Sequence, residues 1–371
     1  MNDNRIWDVV IVGGGPCGAT AATDLAQKGR SVLLLDRAGR IKPCGGAIPP
    51  VLVKEFGIPD SLIVARINSA RMVSPAERKV DMPIDGGFVG MVDREDFDEW
   101  LRNRAALTGA ERRTGTFDFL ARDADGTAVI HYTARDAEGV ESATEVRARA
   151  VIGADGARSN VARQAIPGGE EVECVFAYHE IVAAPSGGTV PDYDGARCDV
   201  YYQGRLSPDF YGWVFPHGEK VSIGAGSAQK GFSIRGAVTA LRDTAGLAGT
   251  RTIRREGAPI PMRPLRRWDN GRDVVVAGDA AGVVAPASGE GIYYAMACGR
   301  EHLGRHQAGR ASADDGDRSR IWSFSHADGL RKSHAQSKGP GILRSGASLN
   351  QSSAIVYSSV NGPMTSCSIF I

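Results

Sequence analysis

Three groups of residues in this 371-residue chain have types and spacings that could do chemistry. In "VGGGPCG", Gly13, Gly15 and Gly18 fall on the pattern GxGxxG. Glycines so spaced make a tight turn, let backbone approach a pyrophosphate, and let a helix pack closely on a strand. Asp36 ends the run "SVLLLD", where a carboxylate can accept a hydrogen bond from a ribose 2′-hydroxyl, and Arg37 follows it. In "YGWVFP", Tyr211, Trp213 and Phe215 alternate, so an extended chain sets the three rings on one face before Pro216. That face is either core or the wall of an apolar pocket. In "KPCGG", Cys44 precedes Gly45 and Gly46. It is either an inert thiol in a glycine turn or a reactive group beside a closely approached ligand.

The elements that must hold these residues can be read around them. Val9 to Val12 form a buried parallel strand, Ala19 to Lys28 a helix ended by Gly29, and "SVLLLD" the second strand. Strand, glycines, helix, strand and acid in this order specify a nucleotide site, with NAD and FAD both open. Two later segments bear on that choice. Val151 to Ala154 is an apolar strand leading to Asp155 and Gly156, then Arg158 and Ser159. Val274 to Ala277 is another, leading to Asp279 and a glycine-rich approach, through Gly289, to a helix starting near Gly291. The stretch from Arg122 to Asp155 has the pattern of a β-meander with "ADG" and "AEG" turns. "ARCDVYYQ", "FYGWVFP" and "KVSIGAG" read as antiparallel strands.

Lys plus Arg (44) nearly balances Asp plus Glu (43), which argues against a nucleic-acid partner. The six cysteines are scattered, with no CxxC pair, so no metal site is expected and a reducing compartment is. No apolar run approaches the ~20 residues of a membrane span. Cytoplasmic placement is expected, with attachment to the surface of a membrane left open.

The GxGxxG, central DG and late GD motifs together resemble the FAD enzymes of the aromatic-hydroxylase type. That resemblance implies FAD, with Asp279 reaching the ribityl chain, Arg94 of "DREDFDEWL" contacting the cofactor, and the amides of the helix after "ASGEG" pointing at the flavin ring. "KPCGGAIP", "YGWVFP" with its later Gly224 and Gly226, and "GDAAGVVAPASGEGIYYAM" more closely resemble the geranylgeranyl reductases, nearest their chlorophyll and bacteriochlorophyll branch. The likeness runs from about Ile6 to Arg300. It implies saturation of the isolated C=C bonds of a geranylgeranyl group, free as diphosphate or attached to a tetrapyrrole, to give phytyl, with FAD and NADPH. It also implies Tyr211, Trp213, Phe215, Pro216 and Gly224 at the prenyl chain, Cys44 as candidate proton donor, and association with the photosynthetic membrane or a pigment synthase. There is no second GxGxxG, so the nicotinamide cofactor docks without a Rossmann unit of its own.

The expected fold class is α/β: a discontinuous Rossmann-type FAD-binding domain with a mainly antiparallel β-sheet substrate domain. The first takes residues 1–60, 90–165 and 265–300, the second 61–89 and 166–264. Residues 301–371 read differently: serine-rich, without helical periodicity, with four of the seven histidines and no glutamate after Glu301. They are expected to be a disordered or frame-shifted tail. Two other functions stay in view, a flavin monooxygenase and an inactive FAD-binding truncation.

Overall fold

The computed structural model describes residues 5–37, 41–186, 189–285 and 288–300. The expected tail lies outside them. A parallel sheet in the order Glu111–Arg122, Val32–Asp36, Ile6–Val12, Glu141–Gly153, Val274–Val276 forms the first layer. Its strands are buried on both faces: Val9 and Ile11 pack into one core, Val10 and Val12 into another. Continuous apolar runs such as "DVVIV" therefore suit them better than alternation would. The far halves of Glu111–Arg122 and Glu141–Gly153 pair antiparallel with Ala128–Arg135, which is the expected meander.

The first helix runs Pro16–Gln27, three residues earlier than its apolar pattern suggested. Pro16 stands at its start, where a fixed φ suits the helix and the missing N–H costs nothing. Helix Arg94–Leu107 packs beside it, burying Phe97, Leu101 and Ala105, and its Arg102 donates to the Gly14 carbonyl at 3.3 Å.

The second layer is a seven-stranded sheet in the order Thr252–Pro261, Cys174–Ala183, Lys220–Ser227, Gly212–His217, Arg197–Tyr201, Ser69–Val73, Lys79–Pro83. All pairings are antiparallel except that of Arg197–Tyr201 with Ser69–Val73. A small sheet of Ala47–Ile48, Val89–Met91 and Ala65–Ile67 bridges the two layers. Helix Ile234–Thr244 covers the outer face of the large sheet through Ala237, Val238 and Leu241.

Candidate active site

At the mouth of the parallel sheet, the glycine turn is built around close contacts. Gly13 has φ +106°, and a β-carbon there would stand 2.3 Å from the Ala154 carbonyl oxygen. Asp36 accepts from the Gly14 amide at 2.6 Å, which fixes its carboxylate against the turn. Gly15 has no atom within 4 Å of its β-carbon position, so the turn is open on that side. Arg37 is exposed.

Next to this turn lies a cleft between the two layers, with about 960 Å³ of unfilled space, its mouth included. Pro16, the first residue of the glycine-loop helix, is part of its wall, so the turn and the cleft are contiguous. Cys44, Gly45 and Gly46 form one side of the cleft, and Asp279, Gly289 and Gly291 form another. Between them run Tyr211, beside Gly289, Trp213, and Phe215, beside Gly45, all buried, with neighbouring ring centroids 6.0 and 6.2 Å apart. Their strand also packs into a core with Ile67, Val89 and Met91, so the rings are at once core and cleft wall.

The rings are held in place by polar atoms. Trp213 Nε1 donates to Ser222 Oγ at 3.1 Å, and that hydroxyl is 2.9 Å from His179 Nδ1. Burial pushes His179 down to about 4, so it is neutral at ordinary pH. The Tyr211 hydroxyl donates to the Ser288 carbonyl. Burial also pushes that phenol upward. Gly224 and Pro216 are not part of the cleft wall. Gly224 lies behind Trp213, where a β-carbon would be 2.1 Å from the ring, so its link to the cleft runs through that tryptophan. Gly224→Ala is accordingly expected to push the indole into the cleft. Overpacking of this kind costs about 1–3 kcal/mol, and a raised KM for an apolar substrate with unchanged FAD affinity is the steady-state signature.

Asp155 and Gly156 also sit outside the cleft wall. The Asp155 carboxylate accepts from Ser159 Oγ at 2.5 Å and from the Asn160 amide at 2.7 Å, tying down the turn that backs Gly13. The carboxylate is thus engaged by its own turn.

Arg94 is buried and reaches the cleft beside Cys44. It forms a bidentate pair with Asp98, at 2.8 and 2.7 Å. Burial works against its charge, but Asp98 and the Cys44 sulfur outweigh that and raise its pKa. Cys44 Sγ accepts from the Gly46 amide at 3.4 Å.

Five residues at the site carry little or no signal in the sequence. Lys42 Nζ is 2.5 Å from Asp279 Oδ2, closing a pair across the cleft, and the only signal for it was its place in "KPCGG". His217 follows the ring motif directly; its Nε2–H donates to the Gly45 carbonyl at 2.9 Å and props the cysteine turn. Asp93 touches His217 at 3.4 Å and Lys220 at 2.7 Å, and contact with the histidine first, then the lysine, holds that carboxyl well below its usual range. His179 carries no sequence signal, being a lone histidine in a strand. Glu290 sits between Gly289 and Gly291. It is buried, and its Oε1 accepts from the Tyr293 amide at 2.8 Å, so one amide at the start of helix 292–300 is already engaged. Its Oε2 has no hydrogen-bond partner among the described residues.

The arrangement fits a long dinucleotide cofactor: an open glycine turn with an oriented carboxylate at one end, and a contiguous cleft with Asp279 and a glycine-lined helix start at the other. Residues 7–183 match the family described as FAD binding domain. Over 294 residues the chain is 59% identical to the geranylgeranyl diphosphate reductase of Rhodobacter capsulatus, covering 79% of this chain and 73% of that one. The chain belongs to the geranylgeranyl diphosphate reductase family. A second member, the chloroplastic enzyme of Oryza sativa, is 39% identical over 314 residues, covering 81% of this chain and 66% of that one. The chain thus spans about two thirds to three quarters of the length of these relatives. A geranylgeranyl bacteriochlorophyll reductase-like protein of Thermoplasma acidophilum shares the fold, with a TM-score of 0.72 at 24% identity over 84% of this chain and 80% of that one. No helix among the described residues is long and apolar enough to cross a membrane.

Proposed function

We propose that this family member binds FAD between the glycine turn and the cleft and reduces the isolated C=C bonds of a geranylgeranyl group to phytyl. The substrate is the free diphosphate or the pigment-attached ester, and NADPH is the electron source. The observation that carries the reading is that Tyr211, Trp213 and Phe215 line the same cleft as the Asp279 and Gly289–Gly291 end that suits a flavin. A prenyl chain offers almost nothing but methyl and methylene groups to hold, each stabilised on burial by about 0.8 kcal/mol. A wall of rings supplies that surface; Ser222 holds the Trp213 indole from behind, and the Ser288 carbonyl holds the Tyr211 hydroxyl at the cleft's edge.

FAD would be held by Gly13, Gly15, Gly18 and Asp36 at its adenosine end, with Arg94, Gly45, Asp279, Gly289 and Gly291 at its flavin end. Once reduced, it supplies the hydride. The chain's own residues do the rest: the aromatic wall places the alkene and excludes water from it, and a group in the cleft must hand a proton to the second carbon. Lys42, paired with Asp279, also places a cation at that end of the cleft.

An anaerobic incubation of the full chain with FAD, NADPH and either geranylgeranyl diphosphate or a geranylgeranylated pigment tests the reading. Product masses rising in steps of two hydrogens are the expected result, and the preferred substrate identifies itself. Oxygen consumed in step with NADPH, with an oxygenated product, would replace the reading by a monooxygenase. Bound FAD with no product of either kind would replace it by an inactive flavoprotein.

A further inference from the structure

Cys44 and Glu290 both line the cleft where a proton is needed at the second alkene carbon, and their surroundings differ. Cys44 Sγ is engaged by the Gly46 amide and lies beside the Arg94 guanidinium. Glu290 is 6% exposed, lines the same cleft, and keeps one carboxyl oxygen, Oε2, without a partner among the described residues, while Oε1 is anchored by the Tyr293 amide. A buried carboxyl oxygen with no donor facing it is costly as a carboxylate and comfortable as O–H. We propose that Glu290 is the acid that delivers this proton, directly or through one water, a role that rests on the reductase reading above.

The step balances without a further reactant. One alkene carbon takes the hydride that reduced flavin supplies. The Glu290 O–H bond breaks and its proton forms the C–H bond at the other carbon. The π pair is consumed, flavin is left oxidised, and the Glu290 carboxylate is reprotonated from water before the next double bond is reduced.

The surroundings of Glu290 agree with this. Burial raises its carboxyl from 4.5 to about 7, against the pull of the Tyr293 and Ile292 amides and with help from the Asp279 charge. The charged and titratable groups around it are Asp279 with its partner Lys42, Tyr294 on its own helix, and Cys44, Arg94, His179 and Tyr211 of the cleft wall. An acid near neutrality combines a populated protonated form with a ready proton.

The test compares wild type, Glu290→Gln and Cys44→Ala in full-length chain. Flavin fluorescence serves as the check on FAD binding, and single-turnover oxidation of the NADPH-reduced enzyme by substrate as the readout. For wild type the rate should fall as pH rises through about 7. For Glu290→Gln, with FAD still bound, it should drop about 10²-fold or more and lose that limb. Cys44→Ala should keep the limb whatever its effect on rate. A readout independent of turnover follows from linkage. Because the folded-state value is raised, the carboxyl favours the fold at low pH, and this is lost as pH climbs from 4.5 to about 7. The stability difference between cofactor-free wild type and Glu290→Gln should therefore fall over that window. A full rate with the limb intact in Glu290→Gln, or a limb removed by Cys44→Ala instead, overturns the assignment. Wild type that reduces no alkene defeats the reductase reading, and the assignment with it, whether or not the stability window is seen.

Discussion

Gly18→Ala is expected to leave a folded chain that has lost most of its affinity for FAD. A β-carbon at position 18 would stand 1.9 Å from the Gly13 carbonyl oxygen and 3.1 Å from Ile11 Cγ2. The obstacle is backbone, which cannot rotate away as a side chain can. The start of helix Pro16–Gln27 must lift off the strand, and Gly13 cannot follow, being pinned under the Ala154 carbonyl. Overpacking costs about 1–3 kcal/mol, and spent on the turn that receives a pyrophosphate it weakens FAD binding roughly 10- to 100-fold. Flavin fluorescence titration reads the affinity, and far-UV circular dichroism checks that the sheet has formed. Gly15→Ala is the companion, since nothing lies within 4 Å of its β-carbon position. Any affinity that it loses must come from contact with the cofactor itself. Unchanged FAD affinity in both variants would remove the glycine turn from the cofactor site.

The contrast between these two glycines also marks what the sequence made legible. The glycine turn and the meander were readable because each is set by neighbours a few residues away. "ADG" and "AEG" become turns, with Gly126 and Gly139 at positive φ, and strand pairing follows from them. The alternation of Tyr211, Trp213 and Phe215 likewise fixed their common face. Its two readings, core or pocket, turned out to describe opposite sides of the same rings. What stayed hidden depends on contacts that sequence order does not encode. The Lys42–Asp279 pair joins positions 237 residues apart, and the parallel pairing of Arg197–Tyr201 with Ser69–Val73 brings distant segments together. The hydrogen bonds from Ser159 and Asn160 to Asp155 are local, but the motif "GADGARSN" does not by itself show which way that carboxylate turns. Glu290 carries no pattern of its own in the sequence; burial sets it apart from an ordinary surface glutamate.

The largest loss of stability is expected from Asp98→Ala. Arg94 opens helix Arg94–Leu107, where the dipole is unfavourable to a cation, and it is only 5% exposed. Its charge is tolerated because Asp98, one turn on, accepts from both Nε and Nη2 of its guanidinium. Truncating the carboxylate strands a buried guanidinium, and breaking such a pair from one side costs about 3–5 kcal/mol. Urea unfolding of the cofactor-free chain measures it. The double variant Arg94→Met, Asp98→Leu removes both charges together and should recover most of that loss, because two well-packed apolar side chains avoid the desolvation that the pair had to offset. It should not recover function, since Arg94 also faces the cleft beside Cys44. Stability regained with FAD binding or turnover still missing would show that the arginine is retained for the cofactor end of the cleft. A chain with Asp98→Ala that unfolds within about 1 kcal/mol of wild type, the range of an exposed ion pair, would mean that water reaches the guanidinium, and the argument from burial would fall.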